Sequence, residues 1–209
     1  QIFRRWVMAV FPDRADDAVV AGIAKLDKVR EYNQKRLQSG YQPIKIGIGI
    51  HIGHVMVGIV GEAGRMEGDA LSDNVNLTAR LEGLTKFYGV SLLISEQVVD
   101  KMHDREKFQL RFLDRAIVKG RSEPISVYEV LDGETQETRE LKLKTQPDFE
   151  RGLEFYRRGE LDSAKGFFER VLQVNSLDKT AQLYLERIDR LKTLGLPEQW
   201  NGTWRFTEK

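Results

Sequence analysis

The 209-residue chain contains no cysteine at all. No disulfide framework is therefore available to it, and a Cys-based metal site is excluded. Histidine is nearly as scarce, with three in total. His51 and His54 are close together but the third, His103, is remote, so a histidine metal centre is not expected, and the pair reads as polar groups flanking a turn. Charge of one sign is also missing. The formal net charge is only +1, so the electrostatic footprint of a nucleic-acid or membrane-surface partner is absent. No apolar run is long enough for a transmembrane helix. The one candidate targeting segment, Arg4 and Arg5 followed by Trp6 to Phe11, is too short for a signal sequence and ends at Pro12 and Asp13. These absences lead to the expectation of a cytoplasmic chain with room for one full domain and a small one.

The most informative stretch runs from Arg65 to Arg80, where a polar loop containing Gly68 precedes a helical pattern. Asn76 and Arg80 stand one helical turn apart and so share a face. A guanidinium carries a permanent charge and several fixed donors. Beside an Asn amide it suits a phosphate whose negative charge grows during reaction. The physical expectation is phosphoryl chemistry, although Asn-x-x-x-Arg spacing alone is common on solvated helix faces.

Around it, Trp6 to Phe11 reads as a strand ended by Pro12, and Ala15 to Leu37 as a helix on the spacing of Val19, Val20, Ile23, Leu26 and Val29. Ile44 to Ile52 and Val55 to Val60 read as strands joined at Gly53. Gly47 and Gly49 alternate with Ile46, Ile48 and Ile50, which leaves one face of that strand without side chains, open to a close backbone or helix. The helix of Asn76 and Arg80 runs to Tyr88 and stops at Gly89. Ser91 to Ile94 reads as a buried strand, Glu96 to Met102 as a helix, and Gln109 to Val118 with Ile125 to Leu131 as a hairpin. Interleaved strands and helices imply a mixed α/β sandwich.

The run Ile44-Lys45-Ile46-Gly47-Ile48-Gly49-Ile50-His51, the segment Leu81-Glu82-Gly83-Leu84, and Val118-Lys119-Gly120-Arg121 ahead of Val127-Tyr128-Glu129-Val130 fall in one order and register. In that order they resemble the class III adenylate and guanylate cyclase catalytic domain, over residues 1 to about 131. The resemblance implies conversion of a nucleoside triphosphate, with two Mg or Mn ions, into a cyclic 3′,5′-monophosphate and pyrophosphate. It implies a ferredoxin-like sheet with helices on one face, paired head to tail as a homodimer or heterodimer. Carried over by position, Asn76 orients the ribose and Arg80 stabilises the transferring phosphoryl group. Asp69 accepts from the adenine amino group, which makes ATP the expected substrate, and Lys119 contacts phosphate.

The departures from the family lie at the amino terminus. Its first metal-binding Asp belongs to a strand that precedes anything in this sequence. Aligning Met8, Ala9 and Phe11 with the end of the family hairpin Lys-Tyr-x-Gly-Asp-x-x-Met-Ala-x-Phe places Arg5 at the second Asp, Arg4 at the Gly, and Gln1 at the adenine-contacting Lys. At about 4 Å and an effective dielectric near 20 each unit pair is worth ~4 kcal/mol, so exchanging Asp for Arg shifts the interaction with a divalent ion by on the order of ten. The expectation is that both metal positions are missing, that the chain alone makes no cyclic nucleotide, and that the lost strand leaves an edge in need of a partner. Codon degeneracy allows residues 1–6 to read, one nucleotide on, as Lys-Tyr-Phe-Gly-Asp-Gly. A frameshift just before Val7, a natural truncation and an incomplete sequence are the alternatives.

Residues 132–148 are charged and poor in large apolar groups, and read as a linker, partly helical through Arg139 to Lys144. From 149 to 209 the spacing of Gly152, Phe155, Gly159, Ala164, Phe168 and Val171 resembles one tetratricopeptide-like hairpin. A further helix spans Asp178 to Leu194, and Trp200 and Trp204 are expected to dock onto these helices. Three readings follow: a cyclase domain inactive alone, a pseudoenzyme or regulatory partner that dimerises with an intact cyclase, and a helical-repeat interaction module.

Overall fold

The computed structural model describes residues 7–62, 65–119 and 121–206. Helix α1 (Ala15–Gln38) leads into β1 (Ile48–Ile50), the ribbon β2 (Met56–Glu62) and β3 (Arg65–Leu71), α2 (Asp73–Tyr88), β4 (Leu92–Ser95) and α3 (Glu96–Lys101). The hairpin β5 (Leu110–Ile117) and β6 (Ile125–Val130) follows, then α4 (Gln136–Arg158), α5 (Leu161–Val174), α6 (Lys179–Leu194) and β7 (Trp204–Arg205). A five-stranded sheet runs in the order β1-β4-β6-β5-β7, and β2 with β3 forms a separate two-stranded sheet. The mixed α/β class is as expected.

The glycine alternation in β1 does what the sequence suggests. A Cβ at Gly49 would lie 2.4 Å from the backbone nitrogen of Glu82 and 2.8 Å from the carbonyl oxygen of Thr78, so α2 rests directly on the strand backbone. Gly49→Ala is expected to cost about 1–3 kcal/mol, because a helix backbone cannot rotate aside as a side chain can. Urea unfolding measures this, and an unchanged midpoint would show that the strand and helix separate freely.

Helices cover both faces, where the resemblance implies one. Leu92 and Ile94 point into a cluster with Val19 and Leu26 of α1 and Val98 and Val99 of α3. Leu93 points the other way, into a cluster with Leu77, Leu81 and Tyr88 of α2. That second cluster continues without a break into Phe149, Tyr156, Phe168, Tyr184 and Ile188 of α4 to α6. The alternation of β4 sorts the two faces.

Several expected elements differ. Residues 7–11 form no strand, and Val7, Met8, Val10 and Phe11 are exposed; among the described residues no neighbouring strand supplies the ladder that an apolar run needs. Trp6 lies outside the described residues. The strand expected over 44–52 shrinks to β1, and residues 51–55 are irregular. The polar stretch before α2 is a strand, β3, because β2 offers it a full antiparallel register from Met56 opposite Leu71 to Glu62 opposite Arg65. The stretch 132–148 is a short 3-10 turn and then the first half of α4. Thr135 caps that helix by accepting from the Thr138 amide at 3.3 Å, and Lys142, within the expected linker, is buried against Glu129. Tertiary pairing, not local apolar content, makes this segment helical.

The tail closes over the sheet through charges. Arg111 of β5 donates to Asp178 at 2.7 Å, and Arg187 of α6 donates to Asp114 at 2.6 Å, with all four side chains at least 98% buried. Tyr88, the last residue of α2, donates to the same Asp114 carboxylate at 2.7 Å. Burial, then the Asp114 charge, pushes the Tyr88 hydroxyl well above the ordinary tyrosine range. Trp200 donates to the Tyr156 carbonyl at 2.8 Å. Trp204 contributes β7, which runs parallel to β5 with Ala116 opposite it.

Candidate active site

Helix α2 begins at a well-made cap. The Ser72 hydroxyl accepts from the amides of Asn74 at 3.1 Å and Val75 at 3.3 Å, satisfying donors that the first turn leaves open. Asp73 lies in that first turn, where a carboxylate suits the positive end of the helix dipole. Its carboxylate accepts from Arg121 at 2.5 Å. The pair is too exposed to add much stability, but it ties the start of α2 to the turn that holds Lys119, two residues earlier.

Asn76 is exposed on α2, and Arg80 is partly buried one turn further on. The Arg80 Nη1 atom is buried and finds no hydrogen-bond partner among the described residues. A buried guanidinium donor without a partner favours an incoming anion. Lys119 is exposed in its turn. The backbone of Asp69 pairs with Gly58 in the β2–β3 ribbon, whereas its side chain lies outside what is described. Gln1, Arg4 and Arg5 also lie outside the described residues.

Sequence reasoning missed a cluster beside this helix. His51, read as a polar group flanking a turn, bonds through Nδ1 to Ser95 Oγ at 2.8 Å and through Nε2 to Asn74 Oδ1 at 3.2 Å. Asn74 Nδ2 donates to the His54 carbonyl at 2.9 Å. Because the Asn74 amide nitrogen is committed to a carbonyl, its oxygen accepts, so His51 carries its proton on Nε2 and takes the Ser95 hydroxyl at Nδ1. These residues lie far apart in the chain, and no local spacing signals their meeting.

Burial holds His51 below the ordinary histidine pKa of 6.5, with the Arg121 charge adding to it while Asn74 and Asp73 oppose. The neutral form is thus favoured by folding. Above pH 6.5 its contribution is complete, and it is lost as pH falls through the folded-state pKa, because the unfolded chain takes up the proton first. The melting temperature of the wild type is expected to fall more steeply than that of His51→Gln between pH 7 and pH 5. Parallel curves would refute this.

Among the described residues no three His, Asp or Glu side chains gather as metal ligands. The candidate cluster presents Asn and Arg, the latter repelling a cation. Asn76 and Arg80 themselves offer a divalent ion no carboxylate. No helix among them is long and apolar enough to cross a membrane.

Residues 10–132 match the family described as the Adenylate and Guanylate cyclase catalytic domain, more than half of the chain. The chain belongs to this family. Members generally use Mg or Mn, bind ATP and commonly dimerise. A similar protein is the terminal-differentiation specific adenylate cyclase of Dictyostelium discoideum, 34% identical over 198 residues that cover 92% of this chain and 9% of that protein. An adenylate cyclase of Anabaena cylindrica is 41% identical over 130 residues, covering 59% of this chain and 26% of its own length. Among solved structures, the guanylyl cyclase Cya2 is 29% identical with a TM-score of 0.48, over 59% of this chain and 62% of that one. This cyclase chain thus spans a small part of the curated relatives it matches. The Dictyostelium similarity extends beyond residue 132, into the helices that the family match leaves out.

Proposed function

We propose that this chain provides the nucleotide-gripping half of an adenylate cyclase active site, acting on ATP in the cytoplasm. In the reaction the ATP 3′-oxygen bonds to the α-phosphorus, the bond to the pyrophosphate oxygen breaks, and the hydroxyl proton is lost, giving 3′,5′-cyclic AMP. Asn76 orients the ribose, Arg80 meets charge on the phosphoryl group, Lys119 contacts phosphate, and Asp69 reads the adenine amino group. The observation that carries this is the pairing on α2 of exposed Asn76 with Arg80, whose buried Nη1 lacks a partner among the described residues. The adenylate cyclases of Dictyostelium and Anabaena support ATP as the substrate.

The metal-binding half is assigned to a second cyclase domain, since Arg5 falls at one metal position of the resemblance. The chain alone then makes no cyclic nucleotide, and a second cyclase domain completes the site by dimerising. Mixing it with an intact cyclase domain that lacks its own ribose-orienting Asn tests this. Cyclic AMP from the mixture, and none from either chain alone, is the expected result. Turnover by this chain alone above a buffer control overturns the half-site reading, and a silent mixture overturns complementation.

The reading of α4 to α6 as a tetratricopeptide-like module is a packing proposal. A Cβ at Gly152 would lie 2.9 Å from the Phe168 ring, the close helix contact such a hairpin uses. Its inner face is occupied by the sheet, which favours a supporting role over a partner groove.

A further inference from the structure

Asn74 stands where two structural units meet. Its amide oxygen accepts from His51 and its amide nitrogen donates to the His54 carbonyl. Between them sits Gly53, where a Cβ would come within 2.4 Å of the Asn74 side-chain carbon. Residues 51–54 are therefore folded around a single amide group. His51 is anchored behind by Ser95 at the end of β4, and Ser95 is fully buried. Two hydrogen bonds and the close approach of Gly53 hold the amide.

What lies beyond each contact gives this joint its meaning. The 51–55 segment enters β2 directly, and β2 carries the ribbon in which Gly58 pairs with Asp69. On the other side, Asn74 precedes Asn76 by two residues and Arg80 by six, on the same rigid helix. We propose that Asn74 is a positioning residue that couples the base-reading ribbon to the helix that grips ribose and phosphate, setting the span that one nucleoside triphosphate must bridge. This rests on the half-site reading above.

The chemistry explains why an amide stands here. The site requires one acceptor for the His51 Nε2 hydrogen and one donor for the His54 carbonyl, on a planar group a single bond from Cβ. Aspartate supplies the acceptor but sets a negative charge against the carbonyl oxygen, and alanine supplies neither. A lost coupling of this kind weakens a ligand that touches both units, and spares one that touches only the helix side.

Two probes separate these cases: ATP, and inorganic tripolyphosphate, which has no base. With the full chain in isothermal titration, Asn74→Ala is expected to weaken ATP about five- to tenfold, the scale of one or two net hydrogen bonds. Tripolyphosphate affinity should stay within about twofold. Asn74→Asp, which keeps the His51 contact and loses the one to His54, should show the same split and guards against a folding defect in the alanine variant. Equal weakening of both probes, or no change in either, overturns the proposal.

Hydrogen exchange decides the matter independently of nucleotide binding. Asn74→Ala should raise exchange together in β2 and in the first turn of α2, and leave β4 and β6 unchanged. Exchange raised in α2 alone overturns the coupling. If the wild type binds neither ATP nor tripolyphosphate the half-site reading fails, and this exchange pattern still decides whether the joint exists.

Discussion

Arg187→Ala is expected to destabilise the protein by about 3–5 kcal/mol, the cost of leaving a buried charge without its partner. Arg187 donates to Asp114 with both side chains at most 2% exposed. Its guanidinium also stands 4.8 Å from the Trp204 ring centre and 5.2 Å from that of Tyr184, contacts that favour a cation over an aromatic face. Burial alone would discourage its charge, but Asp114 foremost holds its pKa above the ordinary arginine range. Removal leaves the Asp114 carboxylate with the Tyr88 hydroxyl and the Arg115 amide as its donors.

The test is a double-mutant cycle. Asp114→Ala in the Arg187→Ala background should cost much less than it does alone, since the charge that lost its partner is then gone. Urea unfolding reads both. A single-variant loss under about 1 kcal/mol, or strict additivity of the two, would show that the pair does not hold the tail to the sheet. Because Tyr88 ends the helix of Asn76 and Arg80 and donates to Asp114, this pair also holds the far end of that helix.

The second large effect belongs to Arg80. In the complemented pair of chains, Arg80→Ala is expected to lower turnover about 100- to 1,000-fold, roughly 3–4 kcal/mol of transition-state stabilisation. Charge on the phosphoryl oxygens grows as the bond to pyrophosphate breaks, so a donor aimed there acts more strongly on the transition state than on bound ATP. The loss should therefore appear in kcat more than in KM. Arg80→Lys should recover little, since an ammonium keeps the charge without the planar fork of donors. A variant within a fewfold of the parent would remove Arg80 from the chemistry. A rise in KM alone would make it a substrate-binding group.

The helix carrying these residues was legible from sequence because each of its signals is local. Gly89 at a φ of 68° ends it as expected, and Leu81 and Leu84 lie on its buried face. The bare face of β1 was legible for the same reason, since alternating glycines leave no side chain whatever covers them. The strand expected over residues 6–11 shows the limit: apolar residues without a neighbour to bond make no strand. β3 shows the converse, a polar stretch turned into a strand by its partner. The His51, Asn74 and Ser95 cluster joins residues up to 44 positions apart, beyond the reach of any spacing rule.

By itself, then, the sequence determined the family, the helix with its Asn and Arg on one face, and the hairpin of β5 and β6. These follow from residue identity and from periodicities within a turn or two. Only the tertiary structure decided that residues 136–158 form one helix, that α4 to α6 share a core with the sheet, and that β7 returns to pair with β5. Lys142, Asp178 and Arg187 look like surface charges in one dimension. Their partners Glu129, Arg111 and Asp114 lie on neighbouring strands, and a buried charge is tolerable only where folding brings its counter-charge within bonding distance.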